Sequence, residues 1–264
     1  MGISDFEPLK EQILNGNGAG VRIGLLDTGV DSRHPLLAGR IAANYEAVMG
    51  HWGAVVNRVE HGSDSNEHGT ACAGILRRLA PGAEIHSLQV VGDGPRDRPE
   101  KLIAGLRFAV ERGWEVINVS VGITRPHPEL HELVQRAWKE GTIIVAAKDN
   151  QPGVVGYPAA YPEVLSVDMD YFPDPLTWRY HPGRDTEADV EANGVYVDGP
   201  VAGCSGQARY TGSSFAAPHI SAIAARLKEY FPEMEGMKFR EVVRRLGKAA
   251  NRGCHEPPPG ATRQ

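Results

Sequence analysis

The chain has few cysteines, no long apolar run and no excess of basic residues, and each shortage excludes a class of protein. The odd count of three cysteines in 264 residues cannot form a complete disulfide framework, which favours a reducing compartment. Basic residues number 28 against 33 acidic ones, for a net charge of -5, so we expect no nucleic-acid partner. No apolar stretch reaches the roughly 18 residues that span a bilayer, so we expect no membrane partner.

The start and end of the chain differ from its middle. The first ten residues carry acidic side chains and lack the apolar segment of a secretory signal. We therefore expect a cytoplasmic location, unless the chain is cut from a larger exported precursor. We predict an N-terminal extension over 1–20, one main domain over 21–250 and a disordered, proline-rich tail over 251–264. The composition makes no prediction of oligomeric state.

Apolar runs alternate with amphipathic segments along most of the chain, which predicts an α/β protein. Strands are expected at 21–26, 84–91, 114–121, 142–147 and 164–169, and helices at 67–79, 99–112, 128–140, 214–230 and 238–249. This alternation predicts three layers, with a doubly wound, mostly parallel sheet and helices on both faces. Sites in such sheets form at the carboxyl ends of the strands.

Three short segments supply an acid, an imidazole and a hydroxyl in that order. The segments DTG, HGT and GSSFAAP contain Asp27, His68 and Ser214. Together these residues can form a nucleophilic triad in which the serine attacks, the histidine takes its proton and the aspartate orients the histidine. Three other histidines compete for the role of base: His34, His61 and His219.

Each of these residues also has an ordinary explanation when taken alone. Ser214 can cap a helix, His68 can be structural, and Asp27 can belong to a turn. Asn150 follows a buried strand, where its amide can stabilise an oxyanion or simply lie in a loop. A paired-carboxylate mechanism lacks a second Asp-Thr-Gly or Asp-Ser-Gly segment. The order and surroundings of the four residues together favour acyl hydrolysis.

The segments resemble those of the subtilisin-like serine proteases. LLDTGVDSRHP, EHGTACAGI and TGSSFAAPHISA resemble the family's aspartate, histidine and serine segments, in the same chain order. VINVSVG resembles its substrate-binding segment, and IIVAAKDN followed by YPAAYPEVLSV resembles its oxyanion-asparagine segment. The resemblance covers about residues 21–227.

The resemblance implies a mechanism and a class of substrate. Ser214 would attack a peptide carbonyl, His68 would act as base and then as acid, and Asp27 would hold the histidine tautomer. Asn150 and the backbone N–H of Ser214 would stabilise the oxyanion. An extended peptide or protein substrate would be clamped by strand addition between two sets of residues. They are Ser120, Val121 and Gly122 on one side and Gly92, Asp93 and Gly94 on the other.

The chain departs from the family pattern at several positions. Phe215 replaces the usual methionine after the nucleophile, and Lys148 introduces a charge that could perturb the oxyanion site or reach a substrate carboxylate. The common calcium loop is missing near residues 76–81, and Leu36 stands in place of a carboxylate ligand, so we predict no metal and no cofactor.

Two segments and the first specificity pocket carry further expectations. Residues 43–64 form an added hairpin or lid, and residues 9–14 could cover the substrate groove. No acidic residue is expected on the walls of the first pocket, which favours a small or hydrophobic substrate side chain.

The leading hypothesis is a serine endopeptidase that hydrolyses peptide bonds, with the processing of one specific peptide or protein as an option within it. A pseudoprotease that uses the groove only to bind peptides is an alternative, because the geometry of a site decides its function. A peptide ligase or macrocyclase is another, since an amine can replace water in resolving the acyl-enzyme.

Overall fold

A computed structural model describes residues 7–64, 66–92, 97–181 and 188–247. The predicted tail at 251–264 lies outside these residues, as do Asp93 and Gly94 among the substrate-binding candidates.

The centre of the fold is a nine-stranded sheet. Its strands are β1 (Arg22–Asp27), β2 (Ile41–Gly50), β3 (Gly53–Val59), β4 (Glu84–Gln89), β5 (Val116–Val119), β6 (Ile143–Ala147), β7 (Leu165–Asp170), β8 (Trp178–Tyr180) and β9 (Val190–Asn193). They lie in the order β3-β2-β4-β1-β5-β6-β7-β9-β8. All neighbours pair in parallel except β3 and β8, the two antiparallel edge strands. A separate two-stranded ribbon joins β10 (Val197–Pro200) to β11 (Gln207–Tyr210).

Helices cover both faces of the sheet. They are α1 (Glu7–Asn15), α2 (His68–Leu79), α3 (Arg98–Glu111), α4 (Pro128–Lys139), α5 (Ser213–Tyr230) and α6 (Gly236–Leu246). One apolar core lies between the sheet and α1, α2, α5 and α6, and the other lies between the sheet and α3 and α4. The predicted three-layer α/β class is therefore confirmed.

Successive side chains of a strand point alternately to the two sides of the sheet and so contribute to both cores. In β1, Leu25 faces the core of α2 and α5, while Leu26 faces the core of α3 and α4. Both side chains are fully buried. Successive residues of a strand point to opposite faces, so a strand covered on both sides is apolar at almost every position. That is why β1 and β6 could be recognised as short unbroken apolar runs.

Several predicted boundaries differ from those observed. The expected strand at 114–121 is confined to Val116–Val119. The residues that follow it, 120–122, line a cleft. The final helix begins at Gly236 and ends at Leu246, rather than spanning 238–249. The hairpin expected within 43–64 is confirmed as β2 and β3. It extends the edge of the sheet, because β2 also pairs in parallel with β4.

The expectation that residues 9–14 could cover the substrate groove is wrong. Leu9 and Ile13 are buried in the core that contains α5. The Arg226 guanidinium on α5 donates hydrogen bonds to the carbonyls of Ile13 and Leu14 at 2.6 and 3.1 Å. Arg226 lies twelve residues beyond Ser214, or about 18 Å along the helix. Helix α1 therefore packs far from the amino end of α5.

Four neighbouring parallel strands bring the candidate residues to one edge. Strands β4, β1, β5 and β6 are adjacent, and their carboxyl ends therefore meet. Asp27 is the last residue of β1, Ser120 follows β5, and Asn150 follows β6 by three residues. This is the crevice in which open α/β sheets form their sites.

Within the described residues, no helix combines the length and apolarity that crossing a membrane requires.

The buried imidazole of His219 in α5 makes stability depend on pH. Burial lowers the pKa of His219 from 6.5 to about 3, and its Nδ1 hydrogen-bonds the Phe215 carbonyl at 3.0 Å. The unfolded chain binds this proton below pH 6.5 and the folded chain does not. Stability from this group is therefore complete above pH 6.5 and is lost as the pH falls toward 3. At pH 5.0 we expect a loss of about 2 kcal/mol from His219.

Urea unfolding at pH 7.5 and 5.0, followed by circular dichroism in a Ser214→Ala background, measures this loss. The difference between the two pH values should be about 2 kcal/mol smaller in His219→Gln than in the parent. His61→Gln, which changes an exposed histidine, serves as the matched control and should leave the difference unchanged. An unaltered difference in His219→Gln would contradict the assignment.

Candidate active site

Asp27 and His68 meet at the carboxyl edge of the sheet. The Oδ1 atom of Asp27 lies 2.6 Å from Nδ1 of His68 and accepts a hydrogen bond from the Thr28 backbone N–H at 2.7 Å. Asp27 is only 1% exposed, so its charge acts on the imidazole with little screening. This contact places the hydrogen on Nδ1 and leaves Nε2 of His68 as the basic nitrogen.

The close approach of α2 to β1 depends on a glycine after the histidine. A Cβ atom on Gly69 would lie 2.0 Å from the Gly29 carbonyl oxygen and 3.1 Å from Cβ of Asp27. Any larger residue would push the start of α2 away from the end of β1. The His-Gly pair therefore sets the distance between the carboxylate and the imidazole.

Asp64 is a residue of this site that the sequence reading missed. Its Oδ1 accepts the Thr28 hydroxyl at 2.8 Å, and its Oδ2 accepts the hydroxyl and backbone N–H of Thr70 at 2.7 and 2.8 Å. The Thr28 hydroxyl in turn accepts the Gly69 N–H at 3.0 Å. Asp64 therefore ties the aspartate segment to the histidine segment. Its only sequence signal is a position four residues before His68 in a polar loop.

The surroundings of His68 favour its protonated form. Burial by itself lowers the pKa of His68, but the charge of Asp27, the hydrogen bond to Asp27 and the charge of Asp64 together raise the pKa above its usual value of 6.5. An imidazole with a raised pKa is a stronger base when it is neutral.

Ser214 lies in the first turn of α5 and lines the same cleft as His68. Its hydroxyl donates to the Ser120 carbonyl at 3.2 Å, so the described hydrogen bonds do not join it to His68. Bonds of this kind often tighten only when a substrate binds. Of the neighbouring N–H groups, that of Ser213 donates to Asn150 Oδ1 and that of Phe215 donates to the Gly212 carbonyl. The Ser214 N–H thus remains a donor at the helix start.

A buried polar network fixes α5 against β5 behind Ser214. The Ser120 hydroxyl donates to the Ser214 carbonyl at 3.0 Å and accepts from Nδ2 of Asn118 at 2.8 Å. The Ser221 hydroxyl donates to Oδ1 of Asn118 at 2.9 Å. Every member is hydrogen-bonded, so the network holds the two elements in one relative position. The Ser120 side chain is therefore an anchor for α5, although the residue also lines the cleft.

The Asn150 amide is oriented by the start of α5. Its Oδ1 accepts the Ser213 N–H at 3.0 Å, which leaves Nδ2 as the donor that can face the cleft. The Ser213 hydroxyl donates to the Lys148 carbonyl at 2.6 Å. These two bonds join the loop after β6 to α5. Asn150 Nδ2 and the Ser214 N–H are the two donors available to a developing oxyanion.

The Lys148 side chain is engaged by a carboxylate. Its ammonium lies 2.9 Å from Oδ2 of Asp168, and both side chains are 19% exposed. The sequence reading allowed this lysine to perturb the oxyanion site or to reach substrate carboxylates. Its partner Asp168, which the sequence reading did not identify, balances the charge locally.

The cleft is lined by most of the residues that the sequence predicts to be catalytic or substrate-binding. It has a volume of about 360 Å³. Its lining includes His68, Ser120, Val121, Gly122, Asn150 and Ser214. Gly92 follows the lining residue Val91, while Asp93 and Gly94 lie outside the described residues. The expectation of no acidic residue on the walls of the first pocket stays a prediction. One acidic residue, Asp149, lines the cleft as a whole. Its Oδ1 accepts the Gln151 N–H at 2.9 Å.

Cys72 lies directly beneath the carboxylate and the imidazole. Its Sγ and one ligand atom from each of Asp27 and His68 lie within 4.8 Å of one another, a grouping that could hold a metal ion. Burial and the charge of Asp27 raise the pKa of the Cys72 thiol well above its usual value of 9.0. Thiolate is the form that attacks carbonyls and binds metals, so this thiol is poorly suited to either role.

The competing histidines lie elsewhere. His34 is 1% exposed, and its Nε2 lies 3.1 Å from the Gly206 carbonyl. His61 lies on the surface beside Glu60, and His219 is fully buried within α5. Phe215, a departure from the family pattern, packs against the His68 ring with centroids 5.0 Å apart and the two ring planes tilted by 48°.

Comparison with known proteins gives consistent matches. The Peptidase S8 subtilase family matches residues 18–252. The chain is 31% identical to subtilisin Savinase of Lederbergia lenta over 235 residues, which is 84% of this chain and 81% of the relative. It is 30% identical to the alkaline elastase YaB of Bacillus sp. strain YaB over 235 residues, but spans only 58% of that relative's length.

A solved structure gives the same result for the fold. The S41 psychrophilic protease superposes with a TM-score of 0.71 and 25% sequence identity. The alignment covers 90% of this chain and 88% of the solved one. On the family match and the relatives together, the chain belongs to the subtilase family of serine peptidases.

Proposed function

We propose that the protein is a serine endopeptidase that hydrolyses peptide bonds with Ser214 as nucleophile, His68 as base and Asp27 as the group that orients the base. The observation that carries this proposal is the 2.6 Å contact between Asp27 and His68 at a cleft that Ser214 also lines. Family membership supports the activity and implies peptide or protein substrates.

The proposed reaction gives each of these groups one role. The Ser214 hydroxyl attacks the substrate carbonyl carbon while Nε2 of His68 takes its proton, and the Nδ1 hydrogen stays with Asp27. The oxyanion that forms is stabilised by Asn150 Nδ2 and the Ser214 N–H. His68 then gives its proton to the leaving amine as the C–N bond breaks. Water attacks the acyl-enzyme while His68 takes its proton, and the acyl–Oγ bond breaks as His68 returns that proton to Ser214. The chain has a residue for the nucleophile, the base, the orienting carboxylate and the oxyanion donors. This complete set favours catalysis over peptide binding alone.

An activated serine should react with a phosphylating reagent. We expect a fluorophosphonate probe to label the folded protein at Ser214, because the hydroxyl shares its cleft with the base His68 and with the oxyanion donor Asn150. Mass spectrometry of the labelled peptide locates the adduct. Ser214→Ala should lose both labelling and cleavage of a denatured protein substrate.

Ser205→Ala, which removes an exposed hydroxyl, is the control and should react as the parent does. Folded parent protein that is neither labelled nor able to cleave any denatured substrate would overturn the proposed activity.

The raised pKa of His68 sets the acid limit of activity. Because only neutral His68 can accept the proton, kcat/KM should fall as the pH drops through a pKa above 6.5. Asp27→Asn removes the charge that raises this pKa, so its acid limb should move to lower pH. The same change should lower kcat by about 10⁴, the loss seen when a triad aspartate is replaced in another serine protease.

The measurement is the pH dependence of kcat/KM for a chromogenic peptide, with Asp198→Asn as a surface control of equal charge change. An acid limb that stays in place in Asp27→Asn would show that another group sets it.

A further inference from the structure

Arg98 is a second cationic residue of the cleft besides Lys148. It is the first residue of α3 and lines the cleft with Val91, which follows β4, and Val121, which follows β5. These two segments adjoin the two sides between which an extended substrate was placed above. The guanidinium therefore lies beside the path of the peptide rather than at the reacting atoms.

The Arg98 side chain has an unmet hydrogen-bonding requirement. Its Nε is buried and has no hydrogen-bond partner among the described residues. No ion pair joins Arg98 to a carboxylate in the same part of the chain. A buried N–H of a charged group without a partner is costly. Lys148 differs in this respect because Asp168 neutralises it.

None of the described carboxylates near Arg98 forms an ion pair with it. Asp149 lines the cleft, but it accepts the Gln151 N–H and forms no described ion pair with Arg98. Asp97 and Glu100 flank Arg98 in sequence, and neither pairs with it among the described salt bridges. Within the described residues, no carboxylate neutralises the charge of Arg98, which lines the cleft.

A further cation stands one turn along the helix. A Cβ built on Gly92 would lie 2.9 Å from Nζ of Lys101, so the ammonium lies beside Gly92, the residue that follows Val91. Arg98 and Lys101 are three residues apart and therefore lie on the same side of α3. Lys101 therefore adds a second positive charge near the cleft-lining residue Arg98.

We infer that Arg98, supported by Lys101, binds an acidic side chain of the substrate, so that the protein prefers Asp or Glu at one position N-terminal to the cleaved bond. The inference rests on the proposed endopeptidase activity and names a specificity within that same cleft. A carboxylate fits a guanidinium because two parallel N–H···O bonds can form. One such contact corresponds to an increase of about ten- to a hundredfold in kcat/KM.

The test uses pairs of peptides that differ only by Glu or Gln at each position N-terminal to one cleaved bond. For the parent protein, kcat/KM should be at least about tenfold higher with Glu at one position and nearly equal elsewhere. The ratio should approach one in Arg98→Gln and should favour Lys over Glu at that position in Arg98→Glu. Added salt should reduce the parent's ratio.

A ratio taken within one variant is insensitive to loss of folded protein, and Arg98→Gln decides the matter if Arg98→Glu does not fold. Arg107→Gln is the matched control, since it removes one charge from the same helix at a residue that pairs with Glu129 outside the cleft. It should keep the parent's ratio. Cleavage without any preference for Glu, or a preference retained in both Arg98 variants, would overturn the specificity and leave the activity standing. Failure to cleave any peptide, without labelling of Ser214, would overturn both.

Discussion

The hydrogen bond between Asp27 and His68 is the contact on which the rest of the site depends. It joins the end of β1 to the start of α2, fixes the tautomer of the imidazole and raises its pKa. Neighbouring residues fix the positions of both partners. Gly69 permits the close approach of α2 to β1, and Asp64 accepts hydrogen bonds from Thr28, next to Asp27, and from Thr70, two residues after His68. A buried carboxylate needs such partners, because an unpaired charge in this position would be strongly destabilising. The same contacts that stabilise the fold here therefore prepare a base.

The nucleophile is positioned by a different part of the molecule. Helix α5 is fixed against β5 by the network of Asn118, Ser120 and Ser221, and against the loop after β6 by Asn150. Because β1, β5 and β6 are adjacent parallel strands, the base and the nucleophile come from elements that the sheet holds in a fixed relation. The parallel sheet thus converts distant positions in the chain into one cleft, at the edge where such folds place their sites.

The sequence predicted the features that depend on local pattern. Strands β1 and β6 were recognisable as apolar runs because they are buried on both faces, and the triad candidates stand in distinctive short segments. Long-range pairings were not predictable in the same way. The engagement of Lys148 by Asp168 joins β6 to β7, and Asp64 is one more carboxylate in a polar loop until the fold brings it to Thr28. The lack of a partner for Arg98 Nε among the described residues likewise depends on the fold, and no sequence pattern indicates it.

A crystal structure of the protein after reaction with a peptide boronic acid would test the central claim most directly, since the tetrahedral boronate resembles the tetrahedral intermediate. The account predicts a bond from boron to Ser214 Oγ, with one boronate oxygen in hydrogen-bond reach of Asn150 Nδ2 and the Ser214 N–H. It also predicts that Nε2 of His68 faces the adduct while Nδ1 keeps its contact with Asp27. Boron bonded to another residue, or a His68 ring turned away from Asp27, would contradict it.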